Sequence, residues 1–282
     1  MKLLRYGEPG RERPGLLDPE GTIRDLGAVI EELDGAALGP EGLARLAALD
    51  PRELPAVSGE VRLGPCVAGV SKLIGIGLNF RDHAEEAGMA IPAEPIVFMK
   101  ATSSISGPDD PIRMPRGEVK VDWEAELGVV IGTPASYVEP GEALAHVAGY
   151  CVANDVSERR AQLEGTGQWV KGKSADSFAP LGPWLVTPDE VPDPQRLAIF
   201  LEVNGEPMQQ GSTATMIFPV AELVSYLSRF MTLLPGDVIL TGTPPGVGMG
   251  RRPPRYLAPG DTVRLGIEGL GEQRQRVVAG TG

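Results

Sequence analysis

Histidine and cysteine are nearly absent from this chain: His83, His146, Cys66 and Cys151 are all there are in 282 residues. Two cysteines build no disulfide framework. So few imidazoles and thiols also argue against a zinc site of the His/Cys kind. A metal site here has to use oxygen ligands, which selects Mg²⁺, Mn²⁺ or Ca²⁺. Long apolar runs are missing too: no stretch could span a bilayer, and the opening MKLLRYGEPG has no apolar signal core. A reducing cytoplasm is the setting these absences predict. Positive charge is in short supply, with 26 Lys+Arg against 38 Asp+Glu and a net charge of −12. That argues against nucleic acid and anionic membrane as main partners. An anionic ligand would need local cations or a metal.

Glycine (37) and proline (27) are plentiful, which predicts many turns and short strands rather than a helical bundle. Residues 1–62 read as a small N-terminal domain and 63–282 as the main one. In the first, MKLLRY and PGLLD read as short strands, and residues 28–33 and 41–49 as helices. In the second, strands are predicted over 71–77, 95–100, 119–131, 146–153, 198–203 and 237–242, with a last one over 262–267. Helices are predicted over 80–87, capped by Asn79, over 157–163, and over 219–231 with Pro219 in the first turn. Asn204-Gly205 marks a hairpin. Strands outnumber helices without regular alternation, so the fold class is α+β.

The most informative stretch is Lys120-Val-Asp-Trp-Glu-Ala-Glu-Leu-Gly128. Odd positions from Val119 to Ile131 are all apolar, and even positions carry Asp122, Glu124 and Glu126. This alternation gives one buried face and puts three carboxylates on the other, each roughly 7 Å from the next. Such a face is either wet surface or is neutralised by something positive. Asp155, at the end of a buried strand, would complete a set of oxygens for a divalent cation; it would equally cap the helix that follows. His83 and Glu86, three apart on one helix, are placed as a base and its orienting carboxylate, or are charged surface residues. Arg159 and Gln162 fall four and seven residues past Asp155, on a face able to aim a cation and an amide at an anion. Thr241-Gly-Thr-Pro-Pro-Gly-Val-Gly248 is a Gly-rich loop able to hold carboxylate or enolate oxygens. Gly167-Gln-Trp-Val-Lys-Gly-Lys-Ser174 matches the P-loop by letter. No buried strand precedes it and no helix of useful length follows, so nucleotide binding is set aside.

In this order the pieces resemble the fumarylacetoacetate hydrolase family. The carriers are Gly77-Leu-Asn-Phe-Arg-Asp-His83-Ala-Glu-Glu86, Phe98-Met-Lys100, Asp122-Trp-Glu-Ala-Glu-Leu127, Asn154-Asp155-Val-Ser-Glu-Arg159, Lys171-Gly-Lys173-Ser174, Met216-Ile-Phe218, Pro235-Gly-Asp-Val-Ile-Leu-Thr-Gly-Thr-Pro244 and Gly246-Val-Gly248. The opening resembles the bacterial branch often labelled ureidoglycolate lyase or 2,4-diketo-3-deoxy-sugar-acid hydrolase. The resemblance implies a mixed β-roll and a homodimer. It implies Mg²⁺ or Mn²⁺ held by Glu124, Glu126 and Asp155, water activated by His83 with Glu86, and Lys173 beside the metal. It also implies Arg159, Gln162 and Thr243 on the substrate, with Asp122 and Lys100 behind the ligands. The activity implied is hydrolysis of a C–C bond in a 1,3-diketo acid, acylpyruvate-type or sugar-derived, through an enolate at the metal. Decarboxylation or keto–enol isomerisation of a related 2-oxo diacid is the alternative, since it shares that enolate. A metal-stabilised binding protein without turnover is the third reading. The extra metal carboxylate of longer mammalian-type members has no match here.

Overall fold

The computed structural model describes residues 1–88, 90–117 and 119–280. Strand Ala125–Ile131 is buried on both faces. Its residues Ala125, Leu127, Val129 and Ile131 enter one hydrophobic core, and Val130 enters a second. The strand pairs antiparallel with Val147–Asn154 on one side and Val238–Leu240 on the other. Beyond the first neighbour lie Ala179–Val186, Lys2–Tyr6, Arg13–Leu17 and Ile23–Asp25. Beyond the second lie Leu73–Gly77 and the edge strand Ile96–Lys100. The strands of the first 62 residues thus extend the large sheet, with Lys2 and Leu3 in register with Val186 and Leu185.

A second sheet runs Glu206–Ser212, Ala198–Val203, Thr262–Ile267, Gly271–Val278 and Ile112–Arg113. Its Leu201, Val263 and Leu265 share the first core with Leu127, Val129 and Trp123, together with helix Val220–Ser228. On the other face, Leu26, Leu33, Leu38 and Leu46 pack in the second core with Val130, Ala148 and Val238. Burying both faces removes apolar surface from water on two sides of one sheet, the main favourable term available to a strand-rich chain. The fold is α+β, as the excess of strands predicts. Among the described residues no helix is long and apolar enough to cross a membrane.

Several elements depart from the sequence expectation. Residues 28–33 form turns, not a helix. The amides of Val29 and Ile30 both reach the Leu26 carbonyl, after which Glu32 takes the Leu33 amide and Asp34 the amides of Ala36 and Ala37. Side chains have claimed the donors a helix needs. The strand over 119–131 is interrupted. Val121–Asp122 pairs with Ser157–Glu158, the chain bends at Trp123 and Glu124, and Ala125–Ile131 begins afresh. The helix over 157–163 is shortened to Arg159–Leu163 and capped by Glu158, so Asp155 caps nothing. Asn79 is not a cap either. Phe80 occupies that position before helix Arg81–Ala87, and the Asn79 side chain bonds Phe218 and the Thr241 carbonyl. A further strand, Gly271–Val278, follows the one expected to be last. Its buried face includes Gln273 and Gln275, whose amides bond the carbonyls of Val152, Gly182 and Pro108. Apolar alternation is therefore weak there. The Asn204-Gly205 hairpin forms as expected, both residues having positive φ.

Gln209, fully buried on the second sheet, wedges the bend open. Its Oε1 accepts the Ala125 amide at 2.9 Å, and its Nε2 donates to Thr243 Oγ1 and the Pro244 carbonyl, both at 2.8 Å. Gln209→Leu strands those groups without water and should cost about 1–3 kcal/mol in urea unfolding. An unchanged midpoint would show that the wedge carries no stability.

Candidate metal and active site

The bend gathers carboxylates. Glu124 and Glu126 lie two residues apart on one face, and the register that sets Asn154 opposite Ala125 carries Asp155 to Glu124. The Asp155 amide donates to the Glu124 carbonyl at 2.9 Å. Each of the three side chains offers an oxygen, and these oxygens lie within 4.8 Å of one another. Glu124, Glu126 and Asp155 are 7%, 2% and 1% exposed, which rules out a wet face and leaves neutralisation by positive groups.

Three cations supply most of it. Lys173 Nζ bonds Glu124 Oε2 at 2.7 Å and Asp155 Oδ2 at 2.6 Å. Lys100 Nζ bonds Asp155 Oδ1 and, at 3.1 Å, the Val156 carbonyl. Arg159 bridges Asp122 (2.8 Å) and Glu124 (2.6 Å), and its Nη1 donates to Gln162 at 3.0 Å. Burial opposes ionisation of Glu124, yet Arg159 and Lys173 hold its pKa down at about 2. Burial likewise opposes charge on Arg159 and Lys173, but their carboxylate partners raise both above the ordinary values. Lys100 goes the other way: burial lowers it, and Asp155 offsets only part of the effect. Glu126 is the exception among the acids. Burial, then Asp155 and Glu124, push it well above the glutamate value, and its one hydrogen bond among the described residues is the Gly242 amide at 2.8 Å.

Asp122, Glu124, Glu126 and Asp155 thus face Lys100, Arg159 and Lys173, leaving one negative charge over when all are ionised. A buried carboxylate without a cation beside two others fits a hard divalent ion taking oxygen ligands. Glu124, Glu126 and Asp155 are the residues that would hold it.

Glu124, Glu126, Arg159, Gln162, Lys173, Thr243, His83 and Glu86 all line one cavity of about 330 Å³. His83 Nδ1 lies 3.2 Å from Glu86 Oε2, and Glu86 also accepts the Gly246 amide at 3.1 Å. Asp122, Asp155 and Lys100 do not line that cavity and sit behind it. The Thr243 hydroxyl donates to the Ala125 carbonyl at 2.9 Å and accepts from Gln209, so it is engaged by the fold. The Gly-rich loop binds protein rather than presenting free amides: Gly242 donates to Glu126, Gly246 to Glu86 and Gly248 to Asp122. The P-loop-like stretch is one helical turn, Val170–Lys173, that delivers Lys173.

Sequence reasoning missed the aromatic wall. Phe98 lies under Lys173 Nζ, 4.9 Å from its ring centre, and its ring centre is 5.5 Å from that of Trp169. A Cβ at Gly75 would come within 2.2 Å of the Phe98 ring, and one at Gly77 within 2.4 Å of Trp169. The pair Gly75-Ile-Gly77 was the signal: two bare positions on one strand face make room for rings. Arg251 and Arg252 also line the cavity and were missed.

Two measurements test the charge balance. Glu124, with its lowered pKa, adds stability above pH 4.5 that is lost as pH falls towards about 2. Glu126 has the opposite sign, favouring the fold below pH 4.5 and losing that contribution as pH rises through its raised value. Binding of Mg²⁺ or Mn²⁺ should therefore displace a proton and tighten as pH rises, seen by calorimetry in buffers of different ionisation heat. Glu126→Gln should weaken the metal more than about 10-fold while the metal-free protein keeps or gains stability. Equal affinity in that variant would remove Glu126 from the site.

A model of the fumarylacetoacetate (FAA) hydrolase C-terminal domain matches residues 72–278. A Burkholderia multivorans protein, provisionally named a hydrolase, is 64% identical over 276 residues, 98% of each chain. Among solved structures, the maleylpyruvate hydrolase of Sphingobium sp. SYK-6, solved with manganese(II) and pyruvate, is 29% identical with a TM-score of 0.83, covering 100% of both chains. The 5-carboxymethyl-2-hydroxymuconate delta-isomerase of Mycobacterium smegmatis is 33% identical with a TM-score of 0.77, also over 100% of both. With the matched model spanning most of its length around the carboxylate bend, this chain belongs to the fumarylacetoacetate hydrolase family.

Proposed function

We propose that the chain hydrolyses a C–C bond in an acylpyruvate-type 1,3-diketo acid, with Mg²⁺ or Mn²⁺ held by Glu124, Glu126 and Asp155. The observation that carries this reading is the single cavity that Glu124 and Glu126 share with the His83–Glu86 pair, with Asp155 meeting the two glutamates from behind it. When bound, the cation supplies Lewis acidity to the oxygens of a 2-oxo acid. The rest of the chemistry belongs to side chains. Glu86 accepts from His83 Nδ1, which makes Nδ1 the protonated nitrogen and leaves Nε2 free to take a proton from water. That water adds to the distal carbonyl, the C–C bond breaks, its electron pair moves into the 2-oxo acid half, and the proton on Nε2 is returned to that half. Lys173 and Arg159 offset the negative charge that builds there. Phe98 and Trp169 keep the wall beside Lys173 dry, which strengthens each of these interactions. The bound pyruvate named for the Sphingobium relative supports the reading, because pyruvate is what cleavage of an acylpyruvate releases. A small organic acid substrate, a homodimer and a cytoplasmic setting go with this proposal.

The isomerase relative from Mycobacterium smegmatis favours a second reading, keto–enol isomerisation of a related 2-oxo diacid. It uses the same charge stabilisation and the same base, with no water consumed.

Loss of enol absorbance across a panel of acylpyruvates, with Mg²⁺, Mn²⁺ or EDTA, tests turnover and metal dependence together. Product analysis separates hydrolysis from isomerisation. His83→Ala should lower kcat by about 10²–10⁴-fold while metal affinity holds. Full activity in that variant would take the proton-transfer role away from His83.

A further inference from the structure

Helix Arg81–Ala87 carries His83 and Glu86 but has little of its own to hold it in place. It is seven residues long, too short to be stable by itself. Arg81, Asp82, His83, Glu85 and Glu86 are exposed or half-buried, and Ala84 alone is buried among the described side chains of the helix. Packing of an apolar face therefore does not fix where the imidazole sits. The motif Met216-Ile-Phe218 lines no part of the cavity, yet it lies against the residues that lead into this helix.

The contacts run residue by residue. The Ile217 amide donates to the Asn79 carbonyl at 2.8 Å. Asn79 Oδ1 accepts the Phe218 amide at 2.8 Å, and its Nδ2 donates to the carbonyls of Phe218 at 3.1 Å and Thr241 at 2.8 Å. Met216 bridges to Phe80, just before the helix. The Thr215 hydroxyl lies 3.2 Å from Asp82 Oδ1, in the first turn, and 3.1 Å from the Ser212 carbonyl. Asn79 and Phe80 are fully buried. Ahead of them Leu78 has a φ of 50°, a conformation a leucine keeps only where its surroundings enforce it.

The gripping segment is itself rigid. It continues strand Glu206–Ser212 through the 3-10 turn Thr213–Thr215. The buried Thr213 gives its amide to the Leu197 carbonyl at 3.0 Å and takes the Leu197 amide on its hydroxyl at 2.9 Å. Gln195 donates to the Thr213 carbonyl at 3.0 Å and accepts the Val220 amide at 2.9 Å. The same strand carries Gln209, which holds the Ala125 amide. One run of chain, Gln209 to Phe218, thus touches the carboxylate strand at one end and the base of the His83 helix at the other.

We infer that the segment from Thr215 to Phe218 is a bracket that sets the distance between His83 and the metal carboxylates, with Asn79 and Asp82 as the positioning residues it grips. This rests on the reading of His83 as the base and names what aims it. Neither Asn79 nor Asp82 lines the cavity, so their effect on rate passes through the imidazole.

The test joins a double-mutant cycle at saturating Mg²⁺ to proton NMR of the His83 ring with Mn²⁺ bound, where His146 is the one other histidine to assign. Asn79→Ala should lower kcat about 10²-fold. Added to His83→Ala it should cost no further rate, although the urea midpoint falls in both backgrounds. Broadening of the His83 signals by Mn²⁺ should weaken in Asn79→Ala, because the ring leaves its place beside the metal. If that variant does not fold, Thr215→Val replaces it, and Thr215→Ser, which keeps the hydroxyl, should restore wild-type behaviour. An undiminished loss of rate in the His83→Ala background, or broadening that ignores the substitutions, overturns the inference. Hydrolysis with either of those results would sink the bracket and spare the hydrolase reading. Broadening that behaves as expected without acylpyruvate hydrolysis would do the reverse. Bound Mn²⁺ that leaves wild-type His83 sharp would overturn both.

Discussion

Four carboxylates held out of water, three from the interrupted strand around Trp123 and one from the end of its neighbour, are what the rest of this structure is arranged around. Burying an ion costs several kcal/mol unless it is paired with good geometry, and here the pairing is supplied from three separate segments. Lys100 comes from the edge strand, Arg159 from a short helix, and Lys173 from a single helical turn. None of those segments can shift without leaving a charge uncompensated. Glu126 stands apart, with a backbone amide where the others have a cation. That asymmetry leaves one carboxylate of the cluster without a cation, the place the proposed divalent ion would fill.

The bend itself is a packing result. A continuous strand through Trp123 and Glu124 would keep its amides for a neighbouring strand. Instead Asn154 and Gln209 take the amides of Glu124 and Ala125. Gln209 belongs to the second sheet, so the sheet that completes the first core also shapes the site. The Gly-rich loop works alongside it. At Gly242 and Gly246 φ is positive, which glycine accepts without strain. A Cβ at Gly246 would lie 1.9 Å from the Met208 carbonyl. The loop can therefore run close enough for its amides to hold Glu126, Glu86 and Asp122.

Buried charge and a dry wall have one consequence in common. Phe98 and Trp169 occupy the space left by Gly75 and Gly77, so the Lys173 ammonium lies between carboxylates and an aromatic face. Electrostatic interactions gain strength where water is excluded. The floor of the cavity therefore holds the buried ions, while at its rim Arg251 is half-buried and Arg252 exposed.

Much of this was legible in the chain itself. The alternation from Val119 to Ile131 marked a buried face, scarce histidine and cysteine pointed to oxygen ligands, and Glu124, Glu126 and Asp155 do converge. Lys173 was reached through resemblance alone, since its local pattern spelled a P-loop. What the sequence left open was whether the carboxylate face is wet or neutralised, because periodicity marks the apolar face as buried and does not report what meets the other. Asp122 meets amides 126 and 127 residues away, and the Thr243 hydroxyl is spent on a carbonyl 118 residues away. The turn at residues 28–33 and the strand Gly271–Val278 escaped for a related reason. Side chains there take backbone donors or bury amides, so neither follows hydrophobic period. Residue type and spacing thus determined the chemistry available to this protein. The tertiary structure decided which charges are paired, which is left over, and which arginines face the cavity, because those outcomes depend on contacts between segments distant in the chain.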